Sequence, residues 1–368
     1  MEAAAGPGKG GWMMRALELA ALADYETSPN PMVGAVVLND GAVVGEGYHR
    51  RAGEAHAEVV ALEQAGERAR GAQLWVTLEP CCTTGRTGPC VERILESGVS
   101  AVHVAMADPN PSVDGRGIAA LRSAGVDVTV GENAAEAAHL IEAYAVWVRT
   151  GIPFVTVKVA MSLDGKVATA GGQSQWITSE EARADGHRLR HSHDAIMVGS
   201  GTVLRDDPTL TARYGFERGR QPLRVVLDGR LRTPAHAKLF QERSLPVLVA
   251  TAAPADPVLR KSLEAAGAEV LEFEARGGRP ALRSVLRNLG RRDVISVLVE
   301  GGPTLLSSLQ EERVGNRVVS FIAPAILGGR GAPSPFGGAG VVGLDDAWRL
   351  RWTGAVSVGP DLRLTAEV

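Results

Sequence analysis

A histidine and a glutamate two residues apart, then a proline-cysteine pair, then a second cysteine, constrain this chain more than any other feature. They stand as His56-Ala57-Glu58, Pro80-Cys81 and Cys90. One imidazole and two thiols make three candidate zinc ligands, and three protein ligands leave a fourth position open, as in a reactive rather than a structural zinc site. All three cysteines lie between positions 81 and 90. A disulfide scaffold would spread them to close long loops, so the cluster favours metal binding in a reducing compartment.

At 368 residues the chain is long for a single core, and two domains are expected. The spacing of apolar residues predicts a helix over 12–23, a strand pair over 33–38 and 42–48 around Asp40-Gly41, and a helix over 56–69 that opens with His56 and Glu58. A strand at 74–78 delivers Glu79-Pro80-Cys81, and a helix over 90–97 begins with Cys90. Strands at 101–105 and 126–130 flank a helix at 118–124, which makes this region an α/β layer domain. A helix over 134–148 leads into the junction at 149–153. Beyond it, strands at 154–160, 195–199, 223–227, 246–250, 269–273, 294–299 and 318–322 alternate with helical stretches near 180–191, 256–266, 280–289 and 303–312. Their continuous apolar runs predict a second, mostly parallel sheet, closed by an antiparallel pair over 348–359 and 362–368. The expected domains are residues 12–148 and 152–368.

Zinc lowers the pKa of a bound water, and a carboxylate beside it can shuttle protons, so the first domain reads as a hydrolytic deaminase with Glu58 as the shuttle. Pro80 fixes the backbone before Cys81, and a helix N-terminus near either cysteine would favour its thiolate. Cys81 and Cys90 could instead be small buried hydrophobes. Cys82, next to Cys81, cannot easily face the same metal. The long loop between Cys81 and Cys90 offers Arg86 as an anion ligand. Asn30, held between prolines, suits reading a heterocycle edge or a turn alone; His49 suits the cleft or the surface; Asp108 and Asn110 suit ribose contacts or loop shaping.

In the second domain no Gly-x-Gly-x-x-Gly follows a strand. Glu300-Gly301-Gly302 and Gly199-Ser200-Gly201-Thr202 each join a strand to a following segment where free N–H groups could receive phosphate, though both also read as tight turns. Lys158 interrupts an apolar strand, which calls for a partner or a cleft, unless the strand lies at an edge; Asp206-Asp207 is the candidate partner. Arg190 and Arg213 are candidate phosphate clamps or ordinary surface arginines. A formal net charge of −3 leaves no electrostatic footprint for nucleic acid, and no apolar run is long enough to span a membrane. Residues 1–11 read as a loose tail rather than a signal peptide. A cytoplasmic enzyme acting on small molecules and assembling as a homo-oligomer is expected.

The motifs PNPMVGAVV, GEGYHRRAGEAHAEV, TLEPCCTTGRTGPC and DPNPSVDGRG, followed by KVAMSLDGKVAT, SQWITSEEAR, DAIMVGSGTVLRDDPTLTAR and VEGGPTL, stand in order along the chain. In these the sequence resembles the bifunctional riboflavin-biosynthesis family, which joins a diaminohydroxyphosphoribosylaminopyrimidine deaminase to a 5-amino-6-(5-phosphoribosylamino)uracil reductase. The resemblance implies an N-terminal cytidine-deaminase-like three-layer α/β domain and a C-terminal α/β domain like dihydrofolate reductase. It implies one zinc per chain on His56, Cys81 and Cys90, with Glu58 as proton shuttle. It puts Asn30, His49, Arg86, Asp108 and Asn110 around the phosphoribosyl pyrimidine. In the reductase it puts Lys158 and Asp206 at the reaction centre, and Ser174, Arg190, Leu210 and Arg213 on substrate. Ala160, Trp176, Thr202, Asp206, Glu300, Gly301 and Gly302 would line NADPH. The chain departs from the family pattern at Cys82, Thr83, Thr84 and Gly88, and at Asp24, Glu26, Ile141 and Ala145. Two other readings compete: a zinc deaminase for a free nucleoside or tRNA with a nonreducing second domain, and a noncatalytic zinc-stabilised scaffold.

Overall fold

Strict alternation along residues 34–39 puts Ala35 and Val37 on one face of a strand and Val36 and Leu38 on the other, and both sets are buried. A strand buried on both faces needs a helical layer on each side. The structure, a computed structural model, describes residues 11–82 and 88–368 and divides into two compact units that meet in sequence at Gly151 and Ile152. In the first unit, β1 (Gly34–Asn39), β2 (Ala42–Tyr48), β3 (Gln73–Val76), β4 (Ala101–Val104) and β5 (Asp127–Val130) form one sheet in the order β2-β1-β3-β4-β5. The strand β1 runs antiparallel to β2 and β3, while β3, β4 and β5 are parallel.

Ala35, Val37, Leu74 and Val76 pack on helices α2 (Ala57–Ala65), α3 (Cys90–Ser97) and α4 (Arg116–Ser123) through Ala61, Leu62, Ile94 and Leu121. Val36, Leu38 and Trp75 pack on α1 (Gly11–Ala21) through Met13 and Leu17, with Ala137 of α5 (Ala134–Leu140). The result is helix, sheet, helix. Glycines on β2 set how closely α2 lies: a Cβ on Gly45 would stand 2.0 Å from the Ala61 carbonyl oxygen, and one on Gly47 2.5 Å from that of Ala57. Only a residue without a side chain allows this approach.

The second unit has β6 (Phe154–Ser162), β7 (Ala195–Gly199), β8 (Leu223–Leu227), β9 (Val247–Ala252), β10 (Ala268–Phe273), β11 (Ala275–Arg276), β12 (Arg279–Pro280), β13 (Ser296–Val299), β14 (Arg317–Ala323), β15 (Arg351–Val358) and β16 (Asp361–Glu367). Nine of these form a sheet in the order β10-β9-β8-β7-β13-β6-β14-β16-β15. Pairings from β10 through β14 are parallel, and β16 joins β14 and β15 antiparallel, as the apolar runs and the expected closing pair require. Val155, Val157, Val159 and Val297 face α10 (Leu282–Gly290) and α11 (Pro303–Glu311) through Leu286, Leu289 and Leu309. Ile196, Val198 and Val249 face the opposite layer, with Val203 of α8 (Ser200–Asp206) and Leu263 of α9 (Pro257–Ala265). Beside them, Ala182 of α7 (Glu180–His191) packs on Val319 and Phe321.

Three local expectations differ from the structure. The helix over 134–148 breaks at Ile141, whose φ of −112° is not helical, into α5 and α6 (Glu142–Thr150). The helix from His56 starts one residue later and tightens into a 3₁₀ turn over Gly66–Ala69. The two-stranded β11–β12 hairpin was not expected; Gly277 and Gly278 take φ of 54° and 72°, the positive values a two-residue hairpin turn demands.

Candidate active sites

In the first unit the parallel strands end where α2 and α3 begin. His56 is the N-cap of α2, Glu58 lies in its first turn, Cys81 follows β3 through Pro80, and Cys90 is the first residue of α3. The sequence thus places all four at element ends that converge. One nitrogen of His56 and the sulfurs of Cys81 and Cys90 lie within 4.8 Å of one another. His56 Nδ1 is 3.1 Å from Cys90 Sγ and 3.6 Å from Cys81 Sγ. Tetrahedral zinc, with Zn–S of about 2.3 Å and Zn–N of about 2.0 Å, sets N···S separations near 3.5 Å, so the donor set fits zinc.

The electrostatics agree. The Cys81 thiol is drawn down to about 4 by hydrogen bonding with Cys90 and His56, against the upward push of burial, and the Cys90 N–H donates to its sulfur at 3.3 Å. Cys90 is driven the other way by facing Cys81 and by burial. A cation between the two sulfurs would favour the thiolate form of both. Burial raises the Glu58 carboxyl, which is 4% exposed and within hydrogen-bonding reach of Cys90. A carboxyl kept near its proton beside a metal position is suited to pass that proton on.

The rim is held by two hydrogen bonds that fix a tautomer. Asn30 Nδ2 donates to His49 Nε2 at 3.1 Å, which leaves the His49 Nδ1–H to donate to the Ala55 carbonyl at 3.1 Å. Burial lowers the His49 pKa and keeps the ring neutral, and it stands edge-on to His56 with centroids 5.2 Å apart. Arg86 lies outside the described residues, as do Thr83 and Thr84. Asp108 accepts from the Asn110 N–H at 2.8 Å and from the Tyr144 hydroxyl at 3.1 Å, while the Asn110 side-chain oxygen accepts from Ser112.

Two residues here escaped the sequence reading. Glu79, buried, accepts from the backbone N–H groups of Asp108, Gly115, Gly117 and Ile118, and so ties the 108–118 loop to the residue before Pro80-Cys81. Tyr144 latches Asp108 to α6. The Glu79-Pro80-Cys81 string was the available signal for the first; nothing in the sequence pointed to the second.

In the second unit a cleft of about 930 Å³ lies at the C-terminal ends of the central strands. Lys158, Ala160, Ser174, Thr202, Asp206 and the Glu300–Gly302 turn line it. The lysine's carboxylate partner is Glu300, with Lys158 Nζ 3.9 Å from Glu300 Oε2, rather than the Asp206-Asp207 pair expected from the sequence. Register explains this: Val299, the last residue of β13, pairs with Val157, so Glu300, the next residue, falls beside Lys158, on a central strand and not an edge. Arg190 donates to both Glu300 oxygens, at 2.7 and 2.9 Å, and to the Thr211 carbonyl at 3.0 Å. Burial acts to raise Glu300, but the charges of Arg190 and Lys158 outweigh it and hold the carboxyl at about 2. Burial also lowers the Lys158 ammonium, partly offset by Glu300.

Trp176, Leu210 and Arg213 are not among the residues that line this cleft. The Trp176 ring is 69% exposed beneath the Arg183 guanidinium, 4.5 Å away, and does not line the cleft. Leu210 has φ of 56° and buries its side chain in the core, so only its backbone is offered to a ligand. Arg213 donates to Thr209 Oγ1 and its N–H to His187 Nδ1. His187, held down at about 4 by burial and by Arg190 and Arg213, was not anticipated.

A five-stranded three-layer unit with a His-Cys-Cys set beside a buried glutamate, followed by a parallel-sheet unit with a cleft over its strand ends, defines a deaminase fold joined to a reductase fold. Comparison with known proteins gives the same result. Residues 9–106 match the cytidine and deoxycytidylate deaminase zinc-binding region, and residues 153–364 match the RibD C-terminal domain. The riboflavin biosynthesis protein RibD of Bacillus amyloliquefaciens is 42% identical over 96% of this chain and 95% of its own length. The solved RibD of Acinetobacter baumannii superposes with a TM-score of 0.88 at 38% identity, over 97% of this chain and 98% of that one. A diaminohydroxyphosphoribosylaminopyrimidine deaminase/5-amino-6-(5-phosphoribosylamino)uracil reductase of Thermotoga maritima gives 0.84 at 34% identity, over 97% and 98%. The chain belongs to the RibD family of riboflavin biosynthesis proteins. It carries a zinc-binding deaminase domain and a reductase domain of a family that uses NADPH. Among the described residues no helix is long and apolar enough to cross a membrane.

Proposed function

We propose that residues 12–148 hydrolyse the exocyclic 2-amino group of 2,5-diamino-6-(5-phosphoribosylamino)pyrimidin-4(3H)-one, and that residues 152–368 reduce the ribosyl carbon of the product. The observation that carries this reading is the convergence of His56, Cys81 and Cys90 beside the buried Glu58. We assign one zinc per chain to the first three. When bound, the metal acidifies a water molecule to near neutrality. Glu58 takes the proton released from the water, hands it to the ring nitrogen, and helps protonate the amine as it leaves as ammonia. Asn30, its amide fixed by neutral His49, and the loop bearing Asp108 and Asn110 orient the heterocycle and its ribose. Arg86 is the proposed contact to phosphate.

In the second domain Lys158, Asp206 and Glu300 surround the reacting C1′. When bound, NADPH supplies hydride to that carbon. The ribosylamine must first open to an imine, which then gains hydride at carbon and a proton at nitrogen. The lysine, with its pKa drawn down by burial, is assigned as the proton source. Arg190 holds Glu300 ionised and in place, so its part is positioning. Ser174, Arg213 and the Leu210 backbone contact substrate; Ala160, Thr202 and Gly301-Gly302 contact cofactor. A homo-oligomer in the cytoplasm is part of the same reading.

The test is incubation of the diamino pyrimidine phosphate with the purified chain, with and without NADPH, and identification of the products by mass. Exchange of the amino group for oxygen without NADPH, followed by addition of two hydrogens when NADPH is present, is the expected result. Turnover of a free nucleoside in place of the phosphoribosyl substrate would refute it.

A further inference from the structure

We propose that Arg230, in the turn after β8, and Arg276, on the β11–β12 hairpin, clamp the 2′-phosphate of NADPH and so select it over NADH. This rests on the NADPH reading above and adds the residues that make the choice. The sheet order supplies the reach. From Lys158 on β6 the strands run β13, β7, β8, and the cleft is lined in turn by Glu300–Thr304 after β13, Gly199–Thr202 after β7, and Arg230 and Arg232 after β8. Three strand spacings of 4.7–4.9 Å put the arginines roughly 14 Å from the reacting centre. That span is too long for a ribose phosphate and suits a dinucleotide laid across the strand ends. Its pyrophosphate would rest over the glycine-rich turns that follow β13 and β7.

The hairpin and the β8 turn touch. A Cβ on Gly229 would stand 2.3 Å from the Gly278 carbonyl oxygen, so the two segments form one corner of the cleft. Arg232 is anchored to Ser200 Oγ at 3.0 Å and Arg279 to Ser308 Oγ at 3.2 Å, both neutral partners. Among the described residues, Arg230, Arg232, Arg276 and Arg279 have no carboxylate within ion-pair distance, although Glu311 and Glu312 also line the cleft. Arg260, Arg292, Arg351 and Arg363, elsewhere in the same unit, are each paired with an acid. Arg230 and Arg276 flank the Gly229–Gly278 contact and line the same cleft as Arg232 and Arg279, and guanidiniums without acid partners suit a phosphomonoester dianion, the group that distinguishes NADPH from NADH.

Calorimetric titration of the full-length chain tests the assignment with 2′,5′-ADP, 5′-AMP, ribose 5-phosphate, NADPH and NADH. The wild type is expected to bind 2′,5′-ADP at least about tenfold more tightly than 5′-AMP, a ratio expected from charge-assisted hydrogen bonds. Arg230→Ala and Arg276→Ala should each weaken 2′,5′-ADP and NADPH by about tenfold and leave NADH within roughly twofold. Both side chains are exposed, so truncation spares the core, and an unchanged melting temperature serves as the check. Equal loss for NADPH and NADH, or no loss for either, overturns the clamp. Loss confined to ribose 5-phosphate assigns the arginines to substrate phosphate and overturns it too. A wild-type chain that binds neither dinucleotide refutes the reductase reading itself, and the clamp with it.

Discussion

At the scale of single residues, the proposed chemistry turns on two buried glutamates whose surroundings drive them in opposite directions. Glu58 is pushed up by burial and retains its proton readily. Replacing it with glutamine keeps the shape and the metal ligands but removes the shuttle. The Glu58→Gln chain should therefore hold its zinc, measured by elemental analysis, while ammonia release falls by about 10²–10⁴-fold. Parallel loss of zinc would mean that Glu58 is structural. Glu300 is held down to about 2 from an ordinary value of 4.5, despite burial, by Arg190 and Lys158. A depressed carboxyl pKa adds stability that is present above pH 4.5 and lost as pH falls through about 2. Linkage makes this about 3 kcal/mol. The melting temperature of the reductase half should thus fall on acidification from about pH 5 to 2, and Glu300→Gln should flatten that slope. An identical slope in the variant would show that the ion pair lacks this strength.

Elements decide where these residues stand. The helix α2 brings both His56 and Glu58 to the site, and it lies against β2 only because Gly45 and Gly47 lack side chains. Gly45→Ala would drive a methyl group into the Ala61 carbonyl and lift the helix. It should cost about 1–3 kcal/mol by overpacking, read as a lower melting temperature, and weaken zinc binding measured by competition with a chelator. Gly41→Ala is the control: that glycine has open space and φ of 77°, so it should lose stability without losing zinc affinity. Equal zinc loss in both would remove α2 placement as the cause.

The limits of sequence reading follow the same division. The convergence of His56, Cys81 and Cys90 was legible because each sits at an element boundary marked by local chemistry, Pro80 before Cys81 and a helix start at Cys90. The alternation of strands was legible because period-two and continuous apolar runs are local. The partner of Lys158 was not, because register across the β6–β13 pair chooses Glu300 over Asp206. Arg190 lies 110 residues from Glu300, and no pattern in either segment announces the pairing. Nor did the loop at Asp108 announce that Glu79 and Tyr144 would occupy its backbone and its carboxylate.

The whole molecule contains two chemistries in two units, each with its own sheet and core. Removing zinc with a chelator should abolish ammonia release and leave NADPH oxidation intact when the deaminated intermediate is supplied directly. Loss of both activities would show that the reductase depends on the metal as well. The central claim is narrower: one metal held by one imidazole and two thiolates, with a position left open beside Glu58. X-ray absorption at the zinc edge of the purified chain tests it most directly. The account predicts two sulfurs at about 2.3 Å and two lighter nitrogen or oxygen atoms at about 2.0 Å. A third sulfur, which Cys82 alone could supply, or a chain that binds no zinc, would contradict it.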